Sequence, residues 1–340
     1  MSFALLAAAA AATRSEPTAR ADGPDATKND RCAIRLAASF LGTSPTADLL
    51  GAADPQADVA ALMTAPATKS LFVERFARFV NSQLDDAPGT SAEQDAVYYT
   101  AYRVLDEGLA WDQLFLGPFD VHPVSDPSKR IDGYALVPST TNTTTNDGAV
   151  NCSKGCIAAF DAPDGLGYFR SDAWLRRYEG NESGGVKLVT ANRMMQNVIG
   201  LKLQAVTNVA QGTDLTATGR EAAACRGCHY DSPYALDKIA SILTKRNTKP
   251  GVPAAQHFLP QAASSVTVLG GKTITDDRSL IETLVASDAF AFRTCRMAFQ
   301  FLYGRVEHTC EAPQFDACVD SFKATKKIQS ALESLATNAG

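Results

Sequence analysis

The chain has 340 residues, enough for one large domain or two ordinary ones, and its 45% hydrophobic and 20% charged content is that of a globular protein. A formal net charge of −5 and a pI near 5.5 argue against a nucleic-acid partner, whose phosphates demand a basic face. No stretch reaches the roughly 18 apolar residues that a membrane-spanning helix needs.

Phe3-Ala4-Leu5-Leu6 and the alanines up to Ala12 read as the apolar core and small-residue cleavage region of a signal peptide. Met1-Ser2 supplies no cation before them, and a frayed alanine-rich helix is the other reading. With the polar stretch 13–30, residues 1–30 form a leader and linker. Residues 31–135 are expected to be an N-terminal helical domain. Arg31–Leu41 is amphipathic and ends at Gly42, Ser44 is placed to cap a helix with Pro45 at its first position, and Leu71–Val80 has apolar residues at helical spacing. A fourth helix covers about Ala92–Glu107, and the aromatic run Trp111–Phe119 leads into a turn at Gly117-Pro118.

Residues 136–186 read as a loop-rich connector that opens with the Thr- and Asn-rich stretch 136–151. A short β element is expected near Tyr134–Val137 or Lys187–Thr190. In residues 187–340, helices are expected over Asn192–Leu203, Pro233–Thr244, Leu280–Ser287, Ala289–Tyr303 and about Phe315–Leu335, with a loop across 247–276. The fold class is mostly α, with long loops and little β.

Five residues in this second half carry most of the chemical information: Cys225-Arg226-Gly227-Cys228-His229. They form the C-x-x-C-H pattern of covalent haem attachment. Each thiol can add across one vinyl group of haem, and the next side chain, His229, then lies under the iron as proximal ligand. At this chain's own Cys and His frequencies the pattern arises by chance roughly twice in a thousand such sequences. A thioredoxin-like redox pair would need a βαβ context, which is not evident nearby. A structural zinc site would need a fourth ligand, and no second C-x-x-C or H-x₃₋₅-H exists. The expected architecture is therefore a helical bundle-like domain around one covalently bound haem c.

Eight cysteines occur, at 32, 152, 156, 225, 228, 295, 310 and 318. Setting the haem pair aside leaves six, so up to three disulfides are possible, as suits an exported protein. Cys152–Cys156 and Cys310–Cys318 are close enough to close small loops, which leaves Cys32–Cys295 as one of 15 connectivities; buried free thiols are the alternative.

The chain resembles the planctomycete and myxobacterial cytochrome c-like proteins, which combine several domains of unknown function with one haem motif. The resemblance rests on Leu188-Val189-Thr190, the C-x-x-C-H itself, Asp231 with Pro233, Ala235-Leu236-Asp237, Phe292…Cys295, and Tyr303-Gly304-Arg305. Arg35-Leu36 and Gly42–Thr46 resemble the first domain of such proteins. Ser232 splits the family's Asp-Pro pair. The resemblance implies an exported, mostly helical, mono-haem protein and no particular reaction.

The distal iron ligand sets the chemistry. Met297 lies 68 residues after His229, a separation like that in small c-type cytochromes. Met195 or Met194, His257 and His308 are further candidates, and an open iron is the remaining case. Taken singly, each methionine is better read as core packing. Arg226, Arg193 and Lys238 are candidates to pair with haem propionates, or are simply solvated charges. The leading expectation is an exported, periplasmic or extracellular electron carrier that docks with redox partner proteins. A surface or assembly protein that pairs with copies of itself around an embedded haem relay is a second, and a peroxidase-like haem enzyme with an open distal site is a third.

Overall fold

The structure, a computed structural model, describes residues 24–88, 95–123, 157–178, 188–203, 210–231, 235–246, 257–258 and 265–337. The leader-like segment, the β element expected at Tyr134–Val137 and the Cys152–Cys156 pair lie outside these residues.

The described chain is mostly helical. Helix α1 (Pro24–Leu36) continues as a π-helical turn, Ala37–Leu41, and stops at Gly42, whose φ of 70° suits a residue without Cβ. Helix α2 (Ala47–Gly51) begins later than Ser44 implies, because Thr46 is the residue whose hydroxyl accepts the Leu49 N–H. Then come α3 (Val59–Thr64), α4 (Lys69–Leu84), α5 (Ala96–Asp106) and the single turn α6 (Gln113–Leu116). Phe72, Phe76 and Val80 recur at helical spacing and are buried along one face of α4.

Antiparallel strands β1 (Phe119–Pro123) and β2 (Ile157–Asp161) follow, with Phe119 opposite Asp161. Helix α7 (Asp172–Tyr178) lies in the segment expected to be a loop-rich connector. Tyr168, Phe169 and Trp174 are buried here, and their rings meet at centroid distances of 4.5–5.1 Å. Helix α8 (Leu188–Ile199) takes in Leu188-Val189-Thr190, so this stretch is the start of a helix, not a strand.

Three short helices come next, α9 (Ala217–Arg220), α10 (Ala223–His229) and α11 (Leu236–Ile242), with strands β3 (Lys245–Arg246) and β4 (His257–Phe258) beyond. Strands β5 (Val266–Val268) and β6 (Lys272–Ile274) form a hairpin inside the expected 247–276 loop. Gly270 and Gly271 turn it at positive φ, a conformation glycine takes without a Cβ clash. Helices α12 (Asp277–Val285), α13 (Asp288–Tyr303), α14 (Ala312–Thr325) and α15 (Ile328–Thr337) complete the chain. The single helix expected over Phe315–Leu335 is thus two, broken where Lys326 turns left-handed at φ 58°.

The two ends of the chain share one core. Helix α13 packs on α4, α8, α12, α14 and α15, and α15 packs on α3. Phe301 of α13 stands edge-on to Phe76 at 4.8 Å and to Phe40 at 6.2 Å. The segments 31–135 and 187–340, expected as separate units, therefore meet over common side chains. Among the described residues no helix is long and apolar enough to cross a membrane.

The disulfide pairing differs from expectation. Cys295 and Cys318 are bonded across α13 and α14, while Cys32 and Cys310 carry free thiols. The packing of α13 on α14 brings Cys295 and Cys318 together with Cα atoms 6.0 Å apart, whereas Cys310 sits exposed in the turn before α14. Closeness in sequence, which favoured Cys310–Cys318, is overridden by the register of two helices.

Candidate functional site

The motif lies on α10. Thr216 opens the preceding turn by accepting the Gly219 N–H, and the Ala222 carbonyl accepts the N–H groups of Cys225 and Arg226 to start α10. The Arg226 carbonyl closes it by accepting the N–H groups of Tyr230 and Asp231, and the Tyr230 hydroxyl donates back to the Ala217 carbonyl at 3.0 Å. Partial burial and the nearby carboxylates of Asp237 and Glu221 hold the Tyr230 phenol above its ordinary pKa.

A helix places positions i, i+3 and i+4 on one face, so Cys225, Cys228 and His229 share a side of α10. Both thiols are free; Cys225 is half-buried and Cys228 exposed. No residue of α10 is buried. It packs on α9 and α11, and α11 joins it to the core through buried Leu236, Ile239 and Ile242 against α8 and β5.

Asp237 in the first turn of α11 organises the site. Its Oδ2 lies 2.7 Å from His229 Nδ1. The Arg220 Nε donates to both carboxylate oxygens at 3.2 Å, and Nη2 donates to Oδ1 at 2.8 Å. Asp237 and Arg220 side chains are each 9% exposed, against 23% for His229. An ionised carboxylate can only accept, so this hydrogen bond engages the Nδ1 side of the ring and leaves Nε2 as the nitrogen open to a ligand. The first turn of a helix favours a carboxylate, because the helix dipole is positive there. Asp237 follows Ala235, whose φ of 42° is a left-handed conformation that alanine adopts at a cost of about 1–2 kcal/mol.

The residues present fit a covalently held haem. It requires two reduced thiols on one short segment and an unoccupied imidazole nitrogen beside them, and α10 supplies both.

The other expected residues lie as follows. Arg226 pairs with Asp231 at 3.2 Å at the surface, Arg193 pairs with Asp86, and Lys238 is exposed. Met297 is buried on α13, and Met194 and Met195 are buried on α8; all three belong to the shared hydrophobic core. The main packing partners of α10 are α9 and α11, and those of α13 do not include α10. Cys225, Cys228 and His229 thus lie on one face of α10, while Met297 and Met195 pack in the shared core. His308 is exposed before α14, and His257 lies in β4 opposite Arg246.

Arg220 was not among the residues singled out from the sequence. An arginine five positions before the first motif cysteine carries no pattern of its own; only the folding of α11 back over α9 gives it Asp237. A cleft of about 1120 Å³ lies apart from α10, lined by Lys28, Arg31, Cys32, Gln56 and Tyr303 among others. Its residues carry none of the motif.

No family model, no curated protein and no solved structure matches the chain.

Proposed function

We propose that this chain is an exported c-type cytochrome that carries single electrons between redox partner proteins. Haem c would be held by Cys225 and Cys228, with His229 Nε2 as the proximal iron ligand. One observation carries the reading: two free thiols and an imidazole with its Nδ1 already engaged share one face of a surface helix. Each thiol would attach by adding its S–H across a vinyl C=C, sulfur to one carbon and hydrogen to the other, with nothing oxidised. When bound, the haem supplies a one-electron iron couple. The chain orients the imidazole through Asp237, and the exposure of α10 leaves the attached group within reach of a docking protein. The resemblance to the planctomycete and myxobacterial cytochrome c-like proteins supports export and a single haem.

A second reading is a haem enzyme with an open distal position. The burial of Met297 and Met195 in the core favours it, since the main packing partners of their helices do not include α10. Protein matured in a host with haem c machinery separates the readings. Thioether haem in the visible spectrum, lost in Cys225→Ser and Cys228→Ser, supports attachment, and its absence from the wild type sinks it. A low-spin iron that refuses carbon monoxide supports the carrier; ready binding of carbon monoxide supports the open site.

A further inference from the structure

We propose that Asp237, held by Arg220, is a positioning residue that sets the electron-donating strength of His229 and thereby the reduction potential of the site. This rests on His229 being the proximal ligand. A ligating imidazole usually donates its second N–H to a carboxylate, a backbone carbonyl or water, and the choice tunes ligand basicity. Here the acceptor is a carboxylate that is itself almost fully buried, at 2.7 Å. A hydrogen bond to an ionised acceptor is roughly twice as strong as a neutral one, and low surrounding polarity strengthens it further. Proton density shifts from Nδ1 towards Asp237, and Nε2 becomes the more anionic donor. An anionic donor stabilises the ferric state over the ferrous one, so Asp237 lowers the potential.

Arg220 works in the opposite sense on the ligand. Its three hydrogen bonds occupy both oxygens of Asp237 and draw charge away from the one facing His229. It also ties α9 to α11, with α10 between them in the chain. The pair is therefore a graded control: Asp237 makes the imidazole a stronger donor and Arg220 limits how strong.

The two residues predict potential shifts of opposite sign. Spectroelectrochemical titration of the haem-loaded protein should give a higher midpoint for Asp237→Asn, which keeps a hydrogen-bond acceptor but removes the charge. Arg220→Gln should give a lower midpoint, because the carboxylate is then less neutralised. A purely structural ion pair would lower the unfolding temperature of the haem-free protein in both variants and leave both midpoints where they were. Unmoved midpoints, or two shifts of the same sign, overturn the proposal while leaving haem attachment intact. If Asp237→Asn fails to fold by circular dichroism, Arg220→Gln alone decides: a downward shift supports the proposal, and an unchanged or upward one overturns it. A wild-type protein with no thioether haem overturns the attachment reading and this one with it.

Discussion

Cys295 on α13 is bonded to Cys318 on α14, and both residues are wholly buried. The bond closes a loop with a sequence separation of 23, which removes chain entropy from the unfolded state. Replacing both cysteines by alanine should cost about 3 kcal/mol in urea unfolding. Equal stability of the wild type with and without reductant would remove the disulfide from the structure.

Arg170 and Asp277 form a second long-range tie. Their side chains are 7% and 1% exposed, and Nη2 and Oδ1 are 2.5 Å apart. Asp277→Ala strands the Arg170 guanidinium in the interior and should cost about 3–5 kcal/mol. A loss under about 1 kcal/mol in urea unfolding would show that water already reaches the pair, since exposed pairs contribute no more than that.

Three tyrosines predict the alkaline limit of the fold. Burial pushes the Tyr102 and Tyr178 phenols up to about 12, and Tyr98 higher still. The unfolded chain ionises its tyrosines near pH 10. The folded state therefore keeps its full stability below pH 10 and loses it as pH climbs towards 12, because the unfolded chain releases protons first. Absorbance at 295 nm should show a class of tyrosines that ionise together with unfolding. Simple titration near pH 10 of all of them would contradict their burial.

Met297→Leu and Met195→Leu test the placement of both methionines in the core. Each conserves volume and should cost less than about 1.5 kcal/mol. The visible spectra of the haem-loaded variants should match the wild type. Loss of a low-spin spectrum in either would assign that methionine to the iron.

Lys326 is exposed and left-handed at the end of α14, a position glycine occupies without strain. Its carbonyl accepts the Trp111 N–H at 2.7 Å, which fixes the conformation. Lys326→Gly should raise stability by about 0.5–1 kcal/mol, offset in part by the greater freedom of glycine in the unfolded chain. A lower melting temperature would show that the lysine stem packs usefully.

Local pattern carried the helices well. Periodicity placed α4, α5 and α13 close to their observed limits, and Gly42 ended its helix as expected, because each signal involves residues within a turn or two. The motif Cys225, Cys228 and His229 is legible because its positions are adjacent, and the structure sets all three on α10. What escaped depends on partners far along the chain. The Cys295–Cys318 bond needs the register of two helices, the break at Lys326 answers to Trp111, and Arg220 finds Asp237 only after α11 folds back. The β5–β6 hairpin escaped because its strands are three residues long, too short for alternation to stand out from loop composition.

The packing of α15 on α3 has a consequence in time. Gln56, beside α3, donates its amide to the Ala336 carbonyl at 2.7 Å, so the N-terminal helices lack part of their core until the last residues arrive. A chain delivered from its N-terminus presents Cys228 a full 100 residues before Ile328. At about 5–20 residues per second, that is an interval on the order of 5–20 s. During it both thiols are available on a chain whose core is still open.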